Sequence, residues 1–193
     1  IGIIGALLSK FGLPDTSPDF SLNGSVLFNT FTFISVVILA PIFEELIFRG
    51  MILNTLTKYN KMFAIIVTSL LFGLLHLNIT QAIPAFFMSL VLCYMYVQTD
   101  SILVTILAHA GNNLLALMSV YSDNFVLITV VIMVFVIYGL ITIILKSKEV
   151  NAFIKEEKTN ENWYARFFKQ IPNLLYLIFT ILWIIISLFM NMF

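Results

Sequence analysis

The stretch FEELIFRG, Phe43–Gly50, sets two adjacent glutamates and an arginine among Ile, Leu and Phe. Further along, His76 closes FGLLH, and His109 opens HAGNN with Asn112 and Asn113 behind it. Little else inside the long apolar segments is polar beyond scattered Ser, Thr, Asn and Gln. Ionisable groups within such segments are usually paired, face a bundle interior and mark function. Their types narrow the chemistry. No Ser or Cys stands beside a His in a recognisable nucleophile elbow, and no HExxH is present, so serine or cysteine catalysis is poorly supported. Two readings stand. In one, Glu44 deprotonates a water that attacks a carbonyl, a histidine assists proton transfer, and His109 with Asn113 donates hydrogen bonds to the oxyanion. In the other, Glu44, His76 and His109 bind zinc, which activates the water. Both hydrolyse an amide.

Spacing divides the roles. Glu45 and Arg49 are four residues apart and share a helix face, which suits an internal ion pair. Glu44 is rotated about 100° from Glu45 and cannot share that pairing equally, so it is the carboxylate free to act as a base. A structural salt-bridge cluster of all three is the competing account. His109 and Asn113 are also four apart and project from one face. A single membrane histidine commonly makes an interhelical hydrogen bond. Two histidines, an i+4 asparagine and a surplus glutamate argue instead for a site.

The elements that must position these groups are membrane helices. The chain has 193 residues, 61% hydrophobic and 10% charged, against about half apolar and a quarter charged in soluble domains. The expected fold is all-α: a multi-pass transmembrane helical bundle with an interior polar site, forming a single membrane domain over 1–193 with its motif core at 41–116. The pattern predicts six helices, at Ser25–Leu56 (bent near Pro41), Met62–Leu77, Ala82–Gln98, Ile102–Val120, Phe125–Leu145 and Ile171–Phe193. Short links make neighbouring spans antiparallel. Asp100 and Asp123 fall in those links and read as exposed turn or cap residues. Cys93, the single cysteine, reads as a small buried hydrophobe. Ile1–Leu8 is apolar but too short to span, and no basic run precedes it to suggest a signal peptide.

Lys146–Gln170 differs, with six basic and four acidic residues interleaved with Trp163, Tyr164, Phe167 and Phe168. It suits a helix lying at the membrane surface, or a solvated connector. Lys58, Lys61, Lys146 and Lys148 fall on one side of the six-helix arrangement and Asp15, Asp19 and Asp123 on the other, which makes the lysine side cytoplasmic. Net charge is zero, so nothing electrostatic points to nucleic acid. The expected partners are membrane lipid and a peptide or membrane-protein substrate; the sequence leaves the oligomeric state open.

Three motifs occur in order on successive hydrophobic segments: E-E-x-x-x-R (Glu44, Glu45, Arg49), F-x-x-x-H (Phe72, His76) and H-x-x-x-N (His109, Asn113). Together they resemble the CAAX protease and bacteriocin-processing family, also called the Abi family, over about Pro41–Ala116. The resemblance implies an intramembrane endopeptidase with a cavity open to the cytosol. It implies Glu44 as the water-activating base, His76 working with it, His109 and Asn113 at the oxyanion, and Glu45 and Arg49 in support. It also implies a glutamate-dependent mechanism with no cofactor, zinc being the older alternative. The short chain without a large soluble part looks bacterial, which makes a prenylated substrate a poor fit. A non-catalytic immunity or scaffold protein that binds a peptide in the same cavity is the competing reading. A small transporter using the carboxylate and histidines as a proton relay is a third, though no paired inverted halves are visible.

Overall fold

The computed structural model describes residues 3–14, 24–121, 146–157 and 161–190. These form eight helices: α1 (Ile3–Lys10), α2 (Val26–Leu56), α3 (Lys61–Leu75), α4 (Ile79–Thr99), α5 (Ile102–Tyr121), α6 (Ser147–Glu156), α7 (Trp163–Phe168) and α8 (Ile171–Met190). No strand occurs among the described residues, which are all-α as the patterning predicts. The helix expected at Phe125–Leu145, and Asp15, Asp19 and Asp123, lie outside the described residues.

Among the described residues, three helices are long and apolar enough to cross a membrane: α2, α4 and the Ile171–Leu188 part of α8. Helix α3 and the Ile102–Met118 part of α5 are apolar but shorter. Large apolar side chains stay exposed along α2 (Leu27, Phe28, Phe31) and α8 (Leu175, Phe179, Leu182, Ile186), as a lipid-facing surface requires.

The described residues fall into two compact units. One comprises 3–14, 46–102 and 161–190; the other comprises 24–45, 103–121 and 146–157.

In the first unit, α3 and α4 form a tight antiparallel pair. Asn60 caps α3, its Oδ1 accepting from Phe63 N–H at 2.7 Å. The helix ends at His76, and Leu77 adopts a left-handed φ of 56° to reverse the chain. Asn78 then caps α4, accepting from Gln81 N–H at 2.9 Å, so α4 starts at Ile79 rather than at the expected Ala82. Gly73 lets the two helices meet: a Cβ there would lie 2.7 Å from Ala82 O. Asp100 closes α4 in a left-handed conformation, its N–H bonded to Tyr96 O at 2.8 Å, which is the cap role read for it. Tyr176 Oη–H on α8 donates to Leu71 O at 3.2 Å. The aromatics of α7 do not simply face outward. Trp163 packs on Tyr59, and Tyr164 and Phe167 pack edge-on to Phe63. Burial against Phe63 pushes the Tyr164 phenol above its ordinary range.

In the second unit, Ser25 caps α2 by accepting from Phe28 N–H at 3.3 Å. The helix then leaves the regular register. It widens to a π-helical turn at Ile34–Leu39, with Ala40 N–H bonded to Ser35 O, before the α-helical segment Ala40–Glu45. A second π-helical stretch, Leu46–Leu53, continues α2 into the other unit. The disturbance expected at Pro41 takes this form: proline has no N–H to give the preceding turn, and its ring crowds the carbonyl four residues back.

Candidate active site

Helix α2 delivers both glutamates to α5. His109 Nδ1 lies 2.8 Å from Glu45 Oε1, and His109 Nε2 lies 3.7 Å from Glu44 Oε2. Glu45 and His109 are buried, whereas the Glu44 side chain keeps 26% of its exposure. A carboxylate accepts, so the Nδ1–H of His109 donates to Glu45, and that bond orients the ring and aims Nε2 toward Glu44. The Nε2 to Glu44 separation is beyond direct hydrogen-bonding range. One turn along α5, Asn113 Nδ2 donates to Val36 O at 2.9 Å, and its Oδ1 accepts from Asn112 Nδ2 at 3.3 Å. The two contacts, His109 with Glu45 and Asn113 with Val36, run α5 antiparallel to α2. The shared face expected for His109 and Asn113 is thus present, and it faces α2.

The other unit holds Arg49, Phe72 and His76. Arg49 is fully buried, and its Nη2 donates to Ser89 Oγ at 2.8 Å and Ser89 O at 3.3 Å. Its guanidinium lies 4.9 Å from the Phe72 ring centroid. The Phe72 ring in turn meets Phe48 edge-on at 5.0 Å and the His76 ring at 5.4 Å. At the end of α3 the His76 main-chain N–H turns back to Gly73 O, and the His76 ring Nδ1–H donates to Phe72 O at 3.1 Å. A carbonyl cannot donate, so Nδ1 carries the proton, and in the neutral ring Nε2 keeps its lone pair. The F-x-x-x-H spacing thereby has a local reason: residue 72 supplies both the carbonyl and the ring that orient residue 76. The ion pair expected between Glu45 and Arg49 remains an expectation of their spacing.

Spacing alone missed the Ser89 partner of Arg49 and the Val36 carbonyl that takes Asn113. It also missed Asn78, whose Nδ2 donates to His76 O at 2.9 Å; the N-x-x-Q order of Asn78 and Gln81 is a readable cap signal. Cys93 is buried as expected, but in a polar strip, with Ser69 Oγ–H donating to its sulfur at 3.6 Å. Among the described residues, no three His, Cys, Asp or Glu side chains are grouped to hold a metal ion.

Membrane-length helices and a histidine set between consecutive glutamates define a helical integral membrane protein with a carboxylate–histidine site. Residues 26–115 match the family model described as type II CAAX prenyl endopeptidase Rce1-like. The protein named "Putative membrane peptidase YdiL" from Bacillus subtilis (strain 168) is 35% identical over 77 residues, which cover 39% of this chain and 32% of that protein. The chain thus spans about a third of the length of that relative. No solved structure matches the chain. Residues 26–115, which contain all three motifs, are thus similar to the CAAX protease and bacteriocin-processing family.

Proposed function

We propose that the chain is an intramembrane endopeptidase in which Glu44 activates the attacking water. The observation that carries this reading is the unequal environment of the two glutamates. Glu45 is buried and bonded to His109 Nδ1, while Glu44 stays partly exposed beside Nε2. In the proposed reaction Glu44 takes a proton from water as the oxygen adds to the peptide carbonyl carbon. His109, donating from Nε2 in its imidazolium form with Glu45 as counter-ion, and the second N–H of Asn113 meet the oxyanion. The resemblance to the family implies that His76, whose Nε2 lone pair follows from the Nδ1–H bond to Phe72 O, also serves in proton transfer. The substrate is a peptide or a membrane-protein segment, approached from the cytoplasmic side of a bacterial membrane, and no metal takes part.

The test incubates the purified wild type and Glu44→Gln with a quenched peptide library, with and without chelator. The expected outcome is cleavage by wild type in chelator and none by a Glu44→Gln protein of unchanged helicity. Full activity in Glu44→Gln overturns the reading. Loss of wild-type activity in chelator alone gives the water to zinc held by Glu44, His76 and His109.

A further inference from the structure

Asn113 reaches the main chain of α2, and the carbonyl it finds there has a specific origin. In a regular helix Val36 O would accept from the N–H four residues on, at Ala40. That N–H instead bonds to Ser35 O, five residues back, in the widened turn Ile34–Leu39. The next bond of the five-residue register would run from residue 41 to Val36 O. Residue 41 is proline and has no N–H. The helix therefore offers Val36 O a donor in neither register, and Asn113 Nδ2 supplies one at 2.9 Å.

We propose that Pro41 is a positioning residue for Asn113: by withholding an N–H, it reserves Val36 O as the anchor that fixes the Asn113 carboxamide. A carboxamide carries two N–H groups. Holding one on a main-chain carbonyl sets the direction of the other. This rests on the peptidase reading, in which the second N–H is an oxyanion donor that must be in place before charge develops. Pro41 is buried and acts through Val36 and Asn113, not on the substrate.

Pro41→Ala returns an N–H to the register that reaches Val36 O, and so lets the helix compete with Asn113. Three readouts follow in detergent-solubilised full chain. First, Asn113→Ala lowers the thermal midpoint in the Pro41 background, because Val36 O loses its partner, and has little effect in the Pro41→Ala background. Second, in protein labelled with 15N-asparagine, one Asn113 carboxamide proton is protected from exchange in wild type and neither is protected in Pro41→Ala. Third, kcat of Pro41→Ala falls about tenfold with KM unchanged. Pro41→Ser also restores the N–H and gives the same pattern if Pro41→Ala folds poorly. Equal midpoint losses in both backgrounds, or unchanged exchange, overturn the reservation of Val36 O. A freed carboxamide with wild-type kcat overturns its bearing on catalysis. A wild type that cleaves nothing defeats the peptidase reading by itself, and the midpoint cycle and exchange pattern still decide whether Pro41 reserves the carbonyl.

Discussion

His109 places Nδ1 2.8 Å from Glu45 Oε1, and this bond makes the two consecutive glutamates unequal. A helix turns about 100° per residue, so adjacent side chains cannot approach one ring from the same direction. Glu45 takes Nδ1, and Glu44 is left beside Nε2 with part of its own surface exposed. The order of the pair, more than its charge, distinguishes the two carboxylates.

Glu45→Gln keeps an oxygen that can accept from His109 Nδ1–H but removes the counter-charge. By analogy with the carboxylates that orient metal-ligating histidines, such a partner contributes about 10–100-fold. The expected result is a fall in kcat of about that size with KM and helicity retained, measured by steady-state cleavage of a peptide selected from the library. An unchanged kcat removes Glu45 from the reaction.

Arg49→Ala acts on the fold of the other unit. It empties a fully buried site between Ser89 and the Phe72 ring, and strips two hydrogen bonds from Ser89. Removing a buried, bonded charge commonly costs about 3–5 kcal/mol. Yield and thermal midpoint should fall steeply. Arg49→Lys keeps the charge but not the planar group over Phe72, and should recover only part of the loss. A thermal midpoint equal to wild type in Arg49→Ala contradicts this account.

Much of this site was legible because spacing reports on faces within one helix. The i, i+4 relation put His109 and Asn113 on one face, and both side chains bond to α2; the pairing of Phe72 with His76 came from the family motif, not from spacing. Spacing cannot report which neighbouring helix meets a face. Glu45 bonds to a ring 64 positions away, and Arg49 bonds to a serine 40 positions away. Nor does apolar patterning alone fix span length. Helix α3 has 15 residues, or about 22 Å at 1.5 Å per residue, short of a hydrocarbon core of about 30 Å. It stops there because Leu77 and the Asn78 cap turn the chain. The change of register before Pro41 was half legible: proline announced a disturbance in α2, but not that it would free a carbonyl for Asn113.

Gly73→Ala tests the crossing of α3 and α4. Its Cβ would stand 2.7 Å from Ala82 O and 3.1 Å from Phe86 Cβ, and a main-chain oxygen cannot swing aside. The helices must separate, at a cost of about 1–3 kcal/mol. Phe72 and His76 share the turn that moves, so cleavage should fall together with the thermal midpoint. Retention of both shows that the pair can shift without loss.

Asn78 separates stability from activity at His76. Its Oδ1 accepts from Thr80 Oγ1–H at 2.8 Å and from Gln81 N–H at 2.9 Å, while its Nδ2 donates to His76 O at 2.9 Å. Asn78→Ala loses both functions and should cost about 1–2 kcal/mol through the cap alone. Asn78→Asp keeps the acceptor that caps α4 but has no N–H to give His76 O. If the tether to His76 contributes to catalysis, the Asp variant regains most of the thermal midpoint while its kcat stays below wild type. If the Asp variant recovers both, the main-chain tether does nothing for His76, and Asn78 serves the helix start alone.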